Sequence, residues 1–486
     1  MSSETGPLPD VADEAPAVGE TLKKKRRHVD LLFGVVGLFL QVGTGLIMLP
    51  LTATMLAPAE LTFWTVFLSI QAMSYLIEFG FTPSFARNFT YVLGGANRLV
   101  AEGVPPEKTG AVNRDLLCEL LSASRTVYML LSLVVAVVLA IGGSIYVDAL
   151  ARTAEGVPFI WESWALFAGT LVFHTYMNWQ AGVVMGADRM REYYQIVTVA
   201  RLVQVALSVV GLLIKPDLLT LTAAYAVSAL VMRVHYQIVA RNVTKLVDGM
   251  KSEPGATRRI LSSIAPNAVK IGWVTIGGYL TSRFSFLVIS LSLGAAMAAE
   301  YAVAQQAFFA LAAISQVAGH LNNARMTAAR LHSEKPVMRE IYAFTVLFAG
   351  AVFLSGALGM MLFGEWLLEV IGSQTLLPPL LILATMTVIF LLDVHANIAM
   401  GLIATSNSIP YMRAVLMTGV LVAGGTIIVA LTGGGLLQFI LVQGAIQLAY
   451  NFWRWPMYVC DELGLKLGAF AGAAVSGARR MLFDRM

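Results

Sequence analysis

Residues 31–56 read LLFGVVGLFLQVGTGLIMLPLTATML, residues 57–60 read APAE, and residues 61–85 read LTFWTVFLSIQAMSYLIEFGFTPSF. Each apolar run exceeds the roughly 20 residues that carry a helix across a hydrocarbon core of about 30 Å. Joined by a four-residue turn, they predict a membrane-crossing hairpin. The run Lys23-Lys24-Lys25-Arg26-Arg27 abuts the first span. That position makes it a topological anchor in preference to a nucleic-acid site. Residues 1–22 are acidic, contain proline and lack large apolar groups, the composition of a disordered tail rather than of a cleaved signal.

Outward from this hairpin the pattern repeats. Further spans fall at about 126–147, 163–186, 193–214, 218–240, 265–292, 299–323, 341–363, 377–404, 414–431 and 436–456. Across 486 residues the chain is 57% hydrophobic and 13% charged, with a mean hydropathy of +0.74. A soluble chain carries about a quarter charged residues, and an outer-membrane barrel shows short alternating segments that are absent here. The expected fold is therefore an all-α polytopic membrane protein of about twelve transmembrane helices. Cys118 and Cys460 are too few for a disulfide framework or a metal site.

The cations fix an orientation. The even-numbered connections hold Arg98, Lys108 and Arg114, then Arg189 and Arg191, then Arg241, Lys245, Lys251, Arg258 and Arg259, then Arg325, Arg330, Lys335 and Arg339, and last Arg413. The opposite connections hold only Arg152 and Lys215. Positive charge marks the cytoplasmic side, so both termini are expected there. The charged stretch near the midpoint divides the chain into two six-helix halves around a central cavity. The expected organisation is a tail with its basic anchor (1–30), an N-terminal half (31–243), a cytosolic linker with an amphipathic segment (244–264), a C-terminal half (265–456) and an amphipathic cytosolic tail (457–486).

Charges inside spans cost on the order of 3 kcal/mol each and mark functional positions. Arg87, Arg201 and Lys270 fall at one depth near the cytoplasmic side, as a receptor for an anion would require; snorkelling to the surface is the bland alternative for each. Arg283 lies thirteen positions beyond Lys270, about 140° around an ideal helix, so the two share a cavity only if Gly277-Gly278 bends the segment. Asp393, with Asn397 one turn on, lies near the middle of its span, and Glu78 shares a helix face with Gln71 and Ser74. Both acids are candidates for ion coupling or for a counter-ion. His174, Asn178, Gln305 and Asn397 extend a polar path through the bundle. No phosphate-binding loop, zinc-ligand spacing or nucleophile motif accompanies them, so neither an enzyme, a cofactor nor a metal is expected.

The second span ends in Glu78-Phe79-Gly80-Phe81-Thr82-Pro83-Ser84-Phe85-Ala86-Arg87. This resembles the acidic-x-Gly…Arg signature of polysaccharide flippases, the O-antigen-unit (Wzx-type) branch of the superfamily that also holds multidrug exporters and lipid II flippases. Gly186-Ala187-Asp188-Arg189, Tyr301-x-x-x-Gln305 and Thr405-Ser406-Asn407-Ser408-Ile409-Pro410 are similar to that family as well. The resemblance implies a bacterial inner-membrane protein that exports an undecaprenyl-diphosphate-linked oligosaccharide by alternating access. Its partners would be the anionic lipid-linked substrate, membrane lipids, glycosyltransferases and a polysaccharide polymerase, and no nucleic acid. Arg87 matches by motif, whereas Lys270 and Arg283 match only the trend of a basic seventh helix. A loop as long as 87–125 and a cation at Arg283 depart from the family pattern. A cation-coupled multidrug exporter and a non-transporting subunit of a glycan assembly machine stand as alternatives.

Overall fold

The structure, a computed structural model, describes residues 47–100, 111–154, 156–331, 333–406 and 409–483. The anchor at 23–27 and the first part of span one lie outside the described residues. From α1 (47–55) the chain turns into α2 (Pro58–Ile77), whose first turn is set by Pro58 and by the Glu60 carboxylate accepting from the Ala57 amide at 3.1 Å. Then come α3 (Phe81–Leu93), α4 (Arg114–Val138), α5 (Ser144–Ala151), α6 (Ile160–Met177), α7 (Trp179–Gly186), α8 (Met190–Ile214) and α9 (Leu218–Thr244). The second series is α10 (Ala256–Ser282), α11 (Phe284–Ser292), α12 (Ala295–Ser315), α13 (Val317–Leu331), α14 (Lys335–Val370), α15 (Leu380–Ala404), α16 (Met412–Leu431), α17 (Leu436–Ala449), α18 (Asn451–Leu463) and α19 (Leu467–Phe483). Among the described residues there is no strand, and eight helical runs are long and apolar enough to cross a membrane.

Several spans, counted or not among these eight, are interrupted, which hydropathy alone does not show. α2 and α3 part at Glu78-Phe79-Gly80, with Phe79 and Gly80 both left-handed (φ 48° and 69°). Glycine takes that conformation freely, and phenylalanine does so at a cost of about 1–2 kcal/mol. α6 and α7 part at Asn178, α12 and α13 at Gln316, and α17 and α18 at Tyr450 (φ −146°, ψ −61°). The seventh span bends at Arg283 (φ −120°, ψ −32°), six residues beyond Gly277. Gly277 has another use. A Cβ there would lie 2.6 Å from the Val415 carbonyl oxygen, and one on Gly419 would lie 2.6 Å from the Gly277 oxygen, so α10 and α16 meet backbone to backbone.

Two further boundaries differ from the hydropathy reading. The long inner loop expected from 86 to 125 is shortened at both ends, by α3 running to Leu93 and by α4 starting at Arg114. Likewise α10 begins at Ala256, so the second part of the expected linker is helix. The C-terminal tail folds back as α19 against α14, where Gly477 sits on the Glu340 backbone and Phe470 packs edge-on to Tyr342 at 6.2 Å.

Aromatic packing fills the core beside the short hairpins. Phe67 stacks on Phe167 at 4.8 Å, and Phe308 stacks on Phe390 at 5.1 Å. The halves are joined near the same end by polar contacts. Thr62 donates to the Ala295 carbonyl (2.7 Å), Gln306 to the Thr65 hydroxyl (3.2 Å), and the Ser373 hydroxyl to the Ala53 carbonyl (3.1 Å). At the other end Arg259 of α10 pairs with Glu119 of α4 at 2.7 Å.

Asp217 closes the α8–α9 hairpin. Its carboxylate caps α9 through the Thr220 amide (2.8 Å) and pairs with Lys215 (2.9 Å). Burial disfavours its charge, but the Thr220 and Lys215 bonds outweigh burial and hold the carboxyl below its ordinary range. Stability from this contact is therefore fully present above the ordinary carboxylate value of about 4 and is lost as pH falls below it, through the lowered value of the folded state. Asp217→Ala should cost about 1 kcal/mol. Thermal unfolding of the purified protein should show that difference at pH 7 and a smaller one at pH 3.5.

Candidate functional site

Two of the helix breaks meet. Glu78, at the end of α2, and Asn178, between α6 and α7, are 100 residues apart in sequence, and the Asn178 amide donates to Glu78 Oε1 at 2.9 Å. The same oxygen accepts from the Tyr128 hydroxyl of α4 at 2.8 Å and from the Thr82 hydroxyl of α3. Three donors thus converge on one oxygen of the Glu78 carboxyl. Asn178 turns its own carbonyl oxygen to Arg233 of α9, whose Nη2 donates at 3.1 Å. Arg233 is 2% exposed, and its guanidinium lies 5.5 Å from the centre of the Tyr236 ring. It also approaches the Met177 carbonyl, left without its helical partner by the break, at 3.5 Å.

This relay forms one wall of a cavity of about 440 Å³ in the first half of the molecule. Arg201 of α8 lies on the wall, held by Gln204 at 2.9 Å, with Gln71, His174, Tyr193 and Tyr225 around it. Thr275 of α10 is the one contribution from the second half among the described lining residues. Local sequence explains the geometry. The left-handed Phe79-Gly80 pair ends α2, so Glu78 does not continue an apolar helix face and Thr82 opens α3 beside it. Such discontinuous helices free backbone groups inside the membrane, and these are tolerated where they line a cavity.

A second cavity, of about 470 Å³, lies in the other half, again at breaks: Ser282, Gln316 and Asn451 come from the α10–α11, α12–α13 and α17–α18 junctions. Asp393 accepts from Asn397 at 2.9 Å on its wall. Asn451 donates to Gln447 (2.9 Å) and Thr418 (3.0 Å) and accepts from the Trp455 indole (3.0 Å). Beside it Arg283 stacks on the Phe309 ring at 4.2 Å. Gln305, buried at 3%, donates to the Tyr301 hydroxyl (3.1 Å) and to the Ser282 carbonyl (3.4 Å), which the break at Arg283 sets free.

The residues singled out in the sequence thus fall in several places. Glu78, His174, Asn178 and Arg201 gather at the first cavity. Asp393 and Asn397 line the second, with Arg283 and Gln305 adjoining it. Arg87 is exposed on α3 and lines neither cavity. The side chain of Lys270 lies outside the described residues. Arg233 was missed by the sequence reading because it lies close to the basic flank marked by Arg241. Its signal is a helical stripe, Tyr225, Ala229, Arg233 and Tyr236, all of which face the cavity. Among the described residues no cluster of three histidine, cysteine or carboxylate side chains could hold a metal.

No family model matches the chain, and no curated protein matches it. Solved structures do. A multidrug resistance MATE family transporter of the MOP superfamily, in an inward-facing conformation, is similar over 88% of this chain and 96% of its own, with a TM-score of 0.59 and 13% identity. The lipid II flippase MurJ, in an inward closed conformation, is similar over 93% of this chain and 91% of its own, with a TM-score of 0.59 and 10% identity. The outward-facing MATE family transporter is similar over 90% and 95%, at 0.55 and 15%. The class defined is a polytopic helical membrane protein with the twelve-helix fold of MOP-superfamily transporters.

Proposed function

We propose that the protein is a flippase that moves an undecaprenyl-diphosphate-linked oligosaccharide from the inner to the outer leaflet of the bacterial plasma membrane by alternating access. It would supply cell-surface polysaccharide synthesis, between the glycosyltransferases that build the lipid-linked unit and the polymerase that extends it. The observation that carries this reading is the pair Arg201 and Arg233 on one cavity, with Glu78 as the only carboxylate lining it among the described residues. Two guanidiniums against one carboxylate leave an excess positive charge, and the planar guanidinium fork suits a diphosphate. The shared fold with a lipid II flippase supports cargo of this type.

With the cytoplasm negative, outward movement of an anion gains about 2.3 kcal/mol per charge per 100 mV, and the same potential opposes return of the empty cationic site. Ion or proton binding at Glu78 or Asp393 would govern that return. The polar contacts between Thr62 and Ala295, Thr65 and Gln306, and Ala53 and Ser373 would form the outer closure that separates in each cycle. The test is flipping of a fluorescent undecaprenyl-diphosphate saccharide in proteoliposomes under an imposed potential. Wild type should flip it, Arg201→Gln should slow it at least tenfold, and Glu78→Gln with Asp393→Asn together should abolish its dependence on a proton or sodium gradient. Flipping unchanged by Arg201→Gln would overturn the reading.

A second reading has its own support. Asp393 shares the second cavity with Phe309, Phe390 and Phe452, an acidic and aromatic lining suited to a lipophilic cation, and MATE transporters share the fold. It predicts ethidium export that fails in Asp393→Asn.

A further inference from the structure

The two cavities share a wall. Thr275 lines the first and Ser282 the second, and both lie on α10. Seven residues of α-helix bring the chain back to within about 20° of the same face after a rise of about 10 Å. The cavities therefore follow one another along one side of one helix, and a ligand laid against α10 can reach both.

Their chemistry differs sharply. The first carries Arg201 and Arg233. The second has no lysine or arginine in its described lining. It offers instead the side-chain amides of Gln316, Asn397, Gln447 and Asn451, from the α12–α13 break and three helices, together with the Asp393 carboxylate and the rings of Phe309 and Phe390, 5.5 Å apart and edge to face. Amides each present donors and an acceptor, and a carboxylate accepts twice, which matches vicinal hydroxyls of a sugar ring. One face of Phe309 is taken by Arg283 and one of Phe390 by Phe308, and an opposite, electron-rich ring face suits the C–H surface of a pyranose. At about 470 Å³ the space falls in the range of small-molecule sites.

We propose that the second cavity is the sugar-binding compartment of the transport site, holding the first saccharide residues while the first cavity holds the diphosphate, with α10 as the ruler between them. This rests on the flippase reading, and it adds to it that specificity for the glycan is set by Gln316, Asn397 and Phe390, in the half that lacks the anion-binding arginines. A site built to bond hydroxyls discriminates strongly against ligands that lack them.

The experiment measures binding by isothermal titration to the full chain in lipid nanodiscs. The probes are geranyl diphosphate, its glucosyl, galactosyl and N-acetylglucosaminyl esters, and the three corresponding methyl glycosides. At least one ester should bind wild type tenfold or more tightly than geranyl diphosphate itself. Gln316→Leu and Phe390→Leu should each remove that gain and leave geranyl diphosphate binding unchanged, whereas Arg233→Gln should weaken the ester and geranyl diphosphate alike. Among the described residues the Gln316 side chain donates only to the Ala312 carbonyl one turn earlier, so its loss should leave the unfolding temperature in place. The proposal is overturned if no ester gains over geranyl diphosphate, or if Gln316→Leu and Phe390→Leu weaken both equally at an unchanged unfolding temperature. Failure of geranyl diphosphate to bind wild type at all would instead sink the flippase reading. In that event methyl glycoside binding that is lost in Gln316→Leu would still support a sugar compartment, and absence of such binding would overturn it.

Discussion

Arg233→Gln is expected to stop transport and to lower the stability of the protein by about 3 kcal/mol. The stability loss follows from what remains behind. Glu78 keeps three hydrogen bonds but loses the guanidinium that the Asn178 carbonyl holds at 3.1 Å, so a carboxylate stands in the membrane interior with no cation on its relay. Removing one partner from a buried charge arrangement costs about 3–5 kcal/mol, and an uncompensated charge at the centre of a membrane helix about 2.5–3.5 kcal/mol. Glu78→Gln alone should be destabilising for the mirror reason. Arg233→Gln combined with Glu78→Gln removes both charges and should regain most of the stability while transport stays absent. Thermal unfolding in nanodiscs, set beside flipping in proteoliposomes, separates the two effects. Transport by the doubly neutral variant would show that Arg233 only balances Glu78.

The other large effect is expected in the packing of α10. Gly277→Ala should destabilise the protein by about 1–3 kcal/mol, because its methyl group would stand 2.6 Å from the Val415 oxygen and 2.8 Å from the Leu416 nitrogen. Backbone atoms cannot swing aside as a side-chain end can. A Cβ on the neighbouring Gly278 would meet nothing within 4 Å among the described residues, so Gly278→Ala should be neutral or stabilise by up to about 1 kcal/mol through better helix propensity. Two alanines one residue apart should thus act in opposite directions in the same thermal-unfolding measurement. Equal shifts would mean that α10 and α16 are not in backbone contact.

Much of the architecture was legible in the sequence, because apolar length is what a membrane selects. The twelve spans follow from runs such as 31–56 and 61–85. The breaks did not, since a hydropathy window averages over the single residues at Glu78, Asn178 and Gln316 where helices part. Gly277-Gly278 illustrates the limit. Glycine inside a membrane helix can permit a bend or a close approach, and sequence alone does not choose. Here Gly277 serves the close approach and the bend falls at Arg283. Of the candidate site, Glu78, Asn178 and Arg201 were found as polar groups out of place. Arg233 was missed because a cation one or two turns from a basic flank reads as part of that flank. The junction of Glu78 with Asn178 needed three dimensions.

The Phe79 ring lies in a notch at Gly272 of α10, where a Cβ would collide with it, and meets Trp273 edge-on at 6.3 Å. The same helix is welded to α16 at Gly277. α10 is therefore fastened to both halves at points five residues apart, and rocking one half against the other loads that short segment. One fastening is backbone on backbone and the other is a single ring seated on a strained, left-handed residue. The weaker fastening yields first. In the proposed alternating-access cycle the barrier would then include unseating one phenylalanine, next in the chain to Glu78 on the wall of the first cavity.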